Sequence, residues 1–198
     1  VGSWTAEALA RSGVAELTLI DLDNIAESNV NRQVHALEST LGQAKVLALQ
    51  ERIALIHPGC EVLPVEEFVD EDNVGHLLRA DQIDAVLDCC DQVRAKAAIA
   101  AWCQAQHKPV VTVGAAGGKR KPQLVELADL ADVTHDPLLA SLRQRGQTRS
   151  GGAASRATSS TISSPRRRLT ISTSRPQKHA CYKQTRKRAS LVQVFCPR

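Results

Sequence analysis

The residues best suited to chemistry gather in short strings. Ile20-Asp21-Leu22-Asp23 places two carboxylates at the end of an apolar run that begins at Leu17. Carboxylates at the carboxyl end of a strand suit ribose hydroxyls, and Asp21 can accept from both. Ser28-Asn29-Val30-Asn31-Arg32-Gln33 follows, a compact polar set whose guanidinium can grip two phosphate oxygens. Lys45 stands at the start of a helical pattern, where a cation opposes the helix dipole unless an anion lies between them. Asp88-Cys89-Cys90-Asp91 closes a second apolar run, and Asp91 could hold a magnesium ion bridging two phosphates. Plainer roles stay open: Asp21 as a loop-capping carboxylate, Lys45 as an exposed helix lysine, and Asp91 as the cap of a helix starting near Val93. Gly114-Ala115-Ala116-Gly117-Gly118-Lys119 reads as a flexible substrate loop, and His35 as a loop histidine.

Strands and helices must place these strings. Residues 3–12 form a helical pattern with Trp4, Ala8 and Leu9 on one face, ended by Gly13. A strand over 17–21 and a polar loop over 22–35 come next. A helix then runs from about 43 to 56, with Val46, Leu49, Ile53 and Ile56 in one stripe, stopped by His57-Pro58-Gly59. The run at 62–65 contains Pro64 and therefore reads as a strand near a sheet edge. A short helix around 71–79, a strand at 84–88, an Ala-rich helix at 93–106 and a strand at 109–114 complete the series. This alternation predicts parallel crossovers and an α/β fold with a Rossmann-like, doubly wound, mostly parallel sheet.

A chain of 198 residues can bury a core for one domain. Its net charge of +4 is unevenly spread: residues 146–198 hold 12 Lys/Arg and no acidic residue, against 13 basic and 21 acidic residues before them. This Ser/Arg-rich tail shows no apolar periodicity, so disorder is expected over 146–198, with Leu191–Phe195 too short to form a core alone. Such a basic arm suits nucleic-acid phosphates; the competing view is an out-of-frame, non-homologous ending. No apolar run is long enough to span a membrane and no secretory signal is visible, so a cytoplasmic protein without stable membrane insertion is expected. The six cysteines lack any C-x-x-C pair, and the six histidines lack metal-ligand spacing.

Asp21-x-Asp23, Ser28-Asn29-x-Asn31-Arg32-Gln33, Gly42-x-x-Lys45 and Asp88-x-x-Asp91 together resemble the ATP-dependent adenylyltransferases of the MoeB/ThiF/HesA type, relatives of the ubiquitin-activating enzymes. Within that family, the strings at 29–37, 114–118 and 136–143 resemble the members that cyclise threonylcarbamoyladenosine in tRNA. The resemblance covers residues 1–145, taken as the ATP-binding domain. It implies that Asp21 binds ribose, that Asn29, Arg32 and Lys45 bind the triphosphate, and that Asp91 positions Mg2+. Asp23, Gln33 and Asp88 complete the implied nucleotide site, and Gly2 matches the third glycine of a G-x-G-x-x-G loop. Arg32, Lys45 and Asp91 are then the catalytic set.

The implied reaction is activation of a carboxylate by ATP, with tRNA as the substrate and a homodimer as the assembly. Activation of a ubiquitin-like sulfur-carrier or sulfur-relay protein is an alternative, disfavoured by the missing C-x-x-C. A nicotinamide dehydrogenase would share the Gly-loop and strand-end acid but gives no reason for Asn29, Arg32 or Lys45. The resemblance also implies that the first two glycines of the loop and the strand before them are missing. With no methionine anywhere, a chain truncated at both ends is expected, and an inactive remnant stays open as an outcome.

Overall fold

The computed structural model describes residues 1–150 and 190–194. Helix α1 (Gly2–Arg11) leads into strand β1 (Glu16–Ile20), followed after a long loop by α2 (Lys45–Ile56) and β2 (Glu61–Val65). Then come α3 (Val74–Leu78), β3 (Ala85–Asp88), α4 (Val93–Ala105), β4 (Val110–Thr112), α5 (Pro137–Ser150) and β5 (Ser190–Val194). All strand pairings are parallel, in the order β2-β1-β5-β3-β4. The α/β sheet expected from the sequence is therefore present.

Alternation along β1 builds the two faces. Leu17 and Leu19 are fully buried in a cluster with Ala6 and Ala10 of α1 and Val46, Leu49 and Ile53 of α2. Ile20, of opposite parity, enters a second cluster with Val74 and Leu78 of α3, Val86 of β3, and Ala95, Ile99 and Cys103 of α4. Helices thus cover both faces, as a parallel sheet requires. Pro64 pairs with Leu19 on the edge strand β2, where its missing N–H faces no further strand.

Two expectations fail. The buried face of α1 is Gly2, Ser3, Ala6, Glu7 and Ala10, while Trp4 is 56% exposed. Small side chains let this helix lie close to α2 and the sheet. Glu7 is admitted to the buried face because Arg11 and Arg52 bond its two oxygens, at 2.8 and 2.6 Å. The Arg52 guanidinium, with Arg11, holds the Glu7 carboxyl below its ordinary pKa.

The second failure concerns the tail. Most of the residues expected to be disordered lie outside the described ones, but α5 continues to Ser150 and Ser190–Val194 form the central strand. Strand β5 pairs with β1 on one side, Glu16 opposite Ser190, and with β3 on the other, Ala85 opposite Leu191. Five residues too few for a core of their own are enough to join one that others have built.

A proline is tolerable on β2 and intolerable in β5, which is bonded on both sides. Val192→Pro should lower stability by at least about 2 kcal/mol through an orphaned ladder carbonyl and steric conflict. Urea denaturation followed by circular dichroism measures it; an unchanged midpoint would remove β5 from the sheet.

Candidate functional site

The site begins where β1 ends. Asp21 is 2% exposed; its N–H extends the sheet by bonding the Val65 carbonyl at 3.1 Å, and its Oδ1 accepts the Asp23 N–H at 2.9 Å. The loop that follows is tied to the start of α2. Ile25 N–H bonds Gln43 O, Gly42 N–H bonds Ile25 O, and Lys45 N–H bonds Asp23 O, all within 2.9 Å. Ile25, Ala36 and Ala48 form a small cluster beneath it.

This closure carries the Lys45 ammonium to 2.6 Å from Asp23 Oδ2 and 4.0 Å from Asp21 Oδ2. Lys45 is itself buried, at 7% exposure, so it is no solvated helix lysine. The carboxylates supply the anion its place at the helix start demands. Burial raises the Asp21 pKa to about 6, against the lowering effects of the Asp23 N–H and Lys45; the charges of Asp23 and Asp91 add to the rise. The ends of β1 and β3 therefore share one electrostatic field at the switch point of the sheet, where open α/β folds bind ligands.

The Arg32 string forms the neighbouring wall. A single 3-10 turn, Glu27–Asn29, is fixed by the Asn29 side-chain oxygen accepting the Ala26 N–H at 3.0 Å. The Asn29 carbonyl accepts the N–H groups of Arg32 and Gln33 at 3.1 and 2.9 Å. The Arg32 guanidinium donates to Ser28 O and Asn31 Oδ1, so an incoming anion would compete with its own loop. Helix α1 docks this wall from its first turn, beside the buried Gly2. Trp4 Nε1 donates to Arg32 O at 3.0 Å and Val34 N–H donates to Ser3 Oγ at 3.3 Å. His35 is buried with neither ring nitrogen bonded, and Gln33 Oε1 also lacks a partner. Burial, with Lys45 and Arg52 nearby, lowers the His35 pKa to about 4, so the ring is neutral.

At the end of β3 the structure separates two aspartates that the sequence reading had grouped. Asp91 is exposed, one residue outside Gln92, the N-cap residue of α4, and so is not that helix's N-cap. Asp88 is a correction: it is fully buried and its carboxylate is occupied from inside. Cys90 N–H and Sγ bond Oδ1 at 3.1 and 2.8 Å; Lys96 Nζ and Thr112 Oγ1 bond Oδ2, both at 3.0 Å. With those directions filled, Asp88 does not face a nucleotide. Lys96 was missed altogether. The signal was a lysine in the buried stripe of α4, in step with Ile99 and Cys103.

The Gly-rich loop is tethered. Asp136 Oδ2 accepts the Ala115 N–H at 3.1 Å and lies 3.4 Å from Lys119 Nζ, while Oδ1 caps the start of α5 through Leu139 N–H at 3.0 Å. Lys119 also donates to His135 O at 2.8 Å. A Cβ on Gly114 would stand 2.5 Å from Asp136 Oδ2 and 2.9 Å from Cγ, which only glycine avoids.

A parallel sheet with a buried acid after β1, a buried lysine opening the next helix, and an acid after β3 defines an open α/β domain with its polar groups at the strand ends. The ThiF family model matches residues 1–163, and the chain belongs to the ThiF family. It is similar to the tRNA threonylcarbamoyladenosine dehydratase of Escherichia coli, 46% identical over 145 residues, 73% of this chain and 54% of that relative. A solved structure of that E. coli dehydratase in complex with ATP matches with a TM-score of 0.74 at 45% identity, covering 76% of this chain and 62% of the other. The molybdopterin-synthase adenylyltransferase of E. coli is 34% identical over 112 residues, 57% of this chain and 44% of its own. The chain spans about half the length of the curated relatives it matches. No helix among the described residues is long and apolar enough to cross a membrane.

Two outcomes follow from this geometry. Gly114→Ala should force Asp136 off the loop and lower thermal stability by about 1–3 kcal/mol, read by calorimetry. Because the Asp21 pKa is raised from 3.8 to about 6 on folding, its ionisation costs stability as pH rises through that window. Asp21→Asn should therefore gain on the order of 2 kcal/mol relative to the unsubstituted protein at pH 8, and lose that advantage below pH 4. Denaturant titrations across that range decide it.

Proposed function

We propose that residues 1–145 are the ATP-binding domain of an adenylate-forming enzyme that cyclises threonylcarbamoyladenosine in tRNA. The observation that carries this reading is the joined wall of Asp21, Asp23 and Lys45, with Asp91 in the same field at the carboxyl ends of β1 and β3. The likeness to a tRNA threonylcarbamoyladenosine dehydratase supports the choice of substrate.

Asp21, once ionised, accepts hydrogen bonds from the ribose hydroxyls. Lys45 leaves Asp23 for the triphosphate, and Arg32 exchanges its loop partners for phosphate oxygens. Asn29 and Gln33 hold the wall that carries Arg32. The threonyl carboxylate oxygen attacks the α-phosphorus of ATP; the bond to the β-phosphate side breaks and pyrophosphate leaves. The carbamoyl nitrogen then attacks the acyl carbon, loses its proton, closes a ring and expels AMP. Arg32 and Lys45 stabilise the charge that grows on the leaving phosphates.

Magnesium fits the donor set. Among the described residues no three His, Cys, Asp or Glu side chains converge as a cage. An Asp91 carboxylate completed by phosphates and water is how this ion is commonly held beside nucleotides. It would neutralise phosphate charge. A homodimer and a cytoplasmic location belong to the same reading.

A second reading, activation of a sulfur-carrier protein's C-terminal carboxylate, draws on the likeness to a molybdopterin-synthase adenylyltransferase. Incubation with ATP and either threonylcarbamoyladenosine tRNA or a sulfur carrier separates the two. With the tRNA, Arg32→Ala should lower the cyclisation rate about 100-fold or more. Full activity in Arg32→Ala would sink the assigned role, and absence of Mg-ATP binding to folded protein would favour the inactive remnant.

A further inference from the structure

Lys96 and Asp88 form a buried ion pair, both side chains at 0% exposure. Removing two charges from water is expensive, and well-packed apolar residues of similar volume often serve stability as well or better. Stability alone therefore gives this pair little reason to exist, and its location supplies one. Asp88 is the last residue of β3 and Lys96 lies in the second turn of α4, so the two bracket the turn that carries Asp91.

The pair also fixes that turn in three directions. Lys96 Nζ lies 3.0 Å from Asp88 Oδ2 and 3.5 Å from Asp88 O, and the same carbonyl accepts Val113 N–H at 2.8 Å. Thr112 Oγ1 ties the carboxylate to β4, and Cys90 bonds it from within the turn. A four-residue excursion between such anchors has little freedom, and Asp91 is its exposed carboxylate.

We propose that Lys96 is a positioning residue: clamped on Asp88, it sets the Cys89–Gln92 turn so that Asp91 meets the metal–triphosphate. This rests on the reading of Asp91 as the magnesium-holding residue. Lys96 touches no substrate; it acts through Asp88 and the turn.

The test uses the full chain and calorimetric titration with ATP and with AMP over a range of Mg2+ concentrations. Lys96→Met alone strands the buried Asp88 charge and opposes folding, so the principal variant is Lys96→Met/Asp88→Asn, which removes both charges together. It should fold, keep AMP affinity within about twofold, and lose about tenfold or more of the Mg2+-dependent gain in ATP affinity, as Asp91→Asn does. Adding Asp91→Asn to it should cost nothing further, since all three act on one contact. Thr112→Val, which removes one donor and no charge, should lose part of the same gain, about threefold. A folded double variant with the full Mg2+-dependent gain, or an unaffected Thr112→Val if the double variant does not fold, overturns the inference alone. If Asp91→Asn itself keeps the gain, the metal reading of Asp91 falls and takes the inference with it.

Discussion

A lysine at the first position of a helix is electrostatically misplaced, and in this chain the misplacement organises the site. The first-turn N–H groups of α2, which no side chain caps, already present positive charge, and Lys45 adds a full unit beside them. Asp21 and Asp23 compensate it, and they can do so only because the loop over 22–44 folds back on the helix start. The same closure buries Ile25 and Ala36 against Ala48, so the loop is held by packing as well as by charge. The cost appears at Asp21, where burial outweighs the lysine and the acid resists ionisation. A cation already surrounded by carboxylates is poised to exchange one set of anionic oxygens for another.

Local pattern made much of this legible. The α2 stripe, the buried alternation of β1 and the edge placement of Pro64 all follow from periodicity or backbone chemistry read within a few residues. Asp21, Asp23 and Lys45 were recoverable because strand ends and helix starts have known electrostatic consequences. What escaped depended on partners far along the chain. Glu7 is buried because Arg52 reaches it from α2, and Trp4 is left outside to bond the Arg32 carbonyl. Asp88 resembled a ligand residue because nothing within β3 itself announces that Lys96, on the buried stripe of α4, and Thr112, on β4, turn it inward. Strand β5 sits in a basic, Ser-rich context that carries no signal for a central strand.

The far rim of the site depends on one carboxylate with three donors. Asp136 caps α5, holds the Ala115 amide and attracts Lys119, so the Gly-rich loop and α5 are a single mechanical unit. Arg143, about two turns further along that helix, donates to the carbonyls of Leu130, Ala131 and Val133. The segment before α5 has little regular structure, and this guanidinium satisfies carbonyls that a strand would otherwise have paired. Order at this edge is thus carried by side chains, and the loop is more constrained than its composition implies.

The position of β5 dictates an order of folding. Its register sets Ser190 beside Glu16 and Leu191 beside Ala85, so the middle of the sheet joins residues far apart along the chain. Before that segment emerges, β1 with β2 and β3 with β4 can form as two half-sheets, each with an open inner edge. Pairing residues so far apart in sequence is entropically slow, and unpaired edges recruit other strands while they wait. A nascent chain of this kind is most vulnerable to aggregation in the interval between its second half-sheet and the arrival of β5.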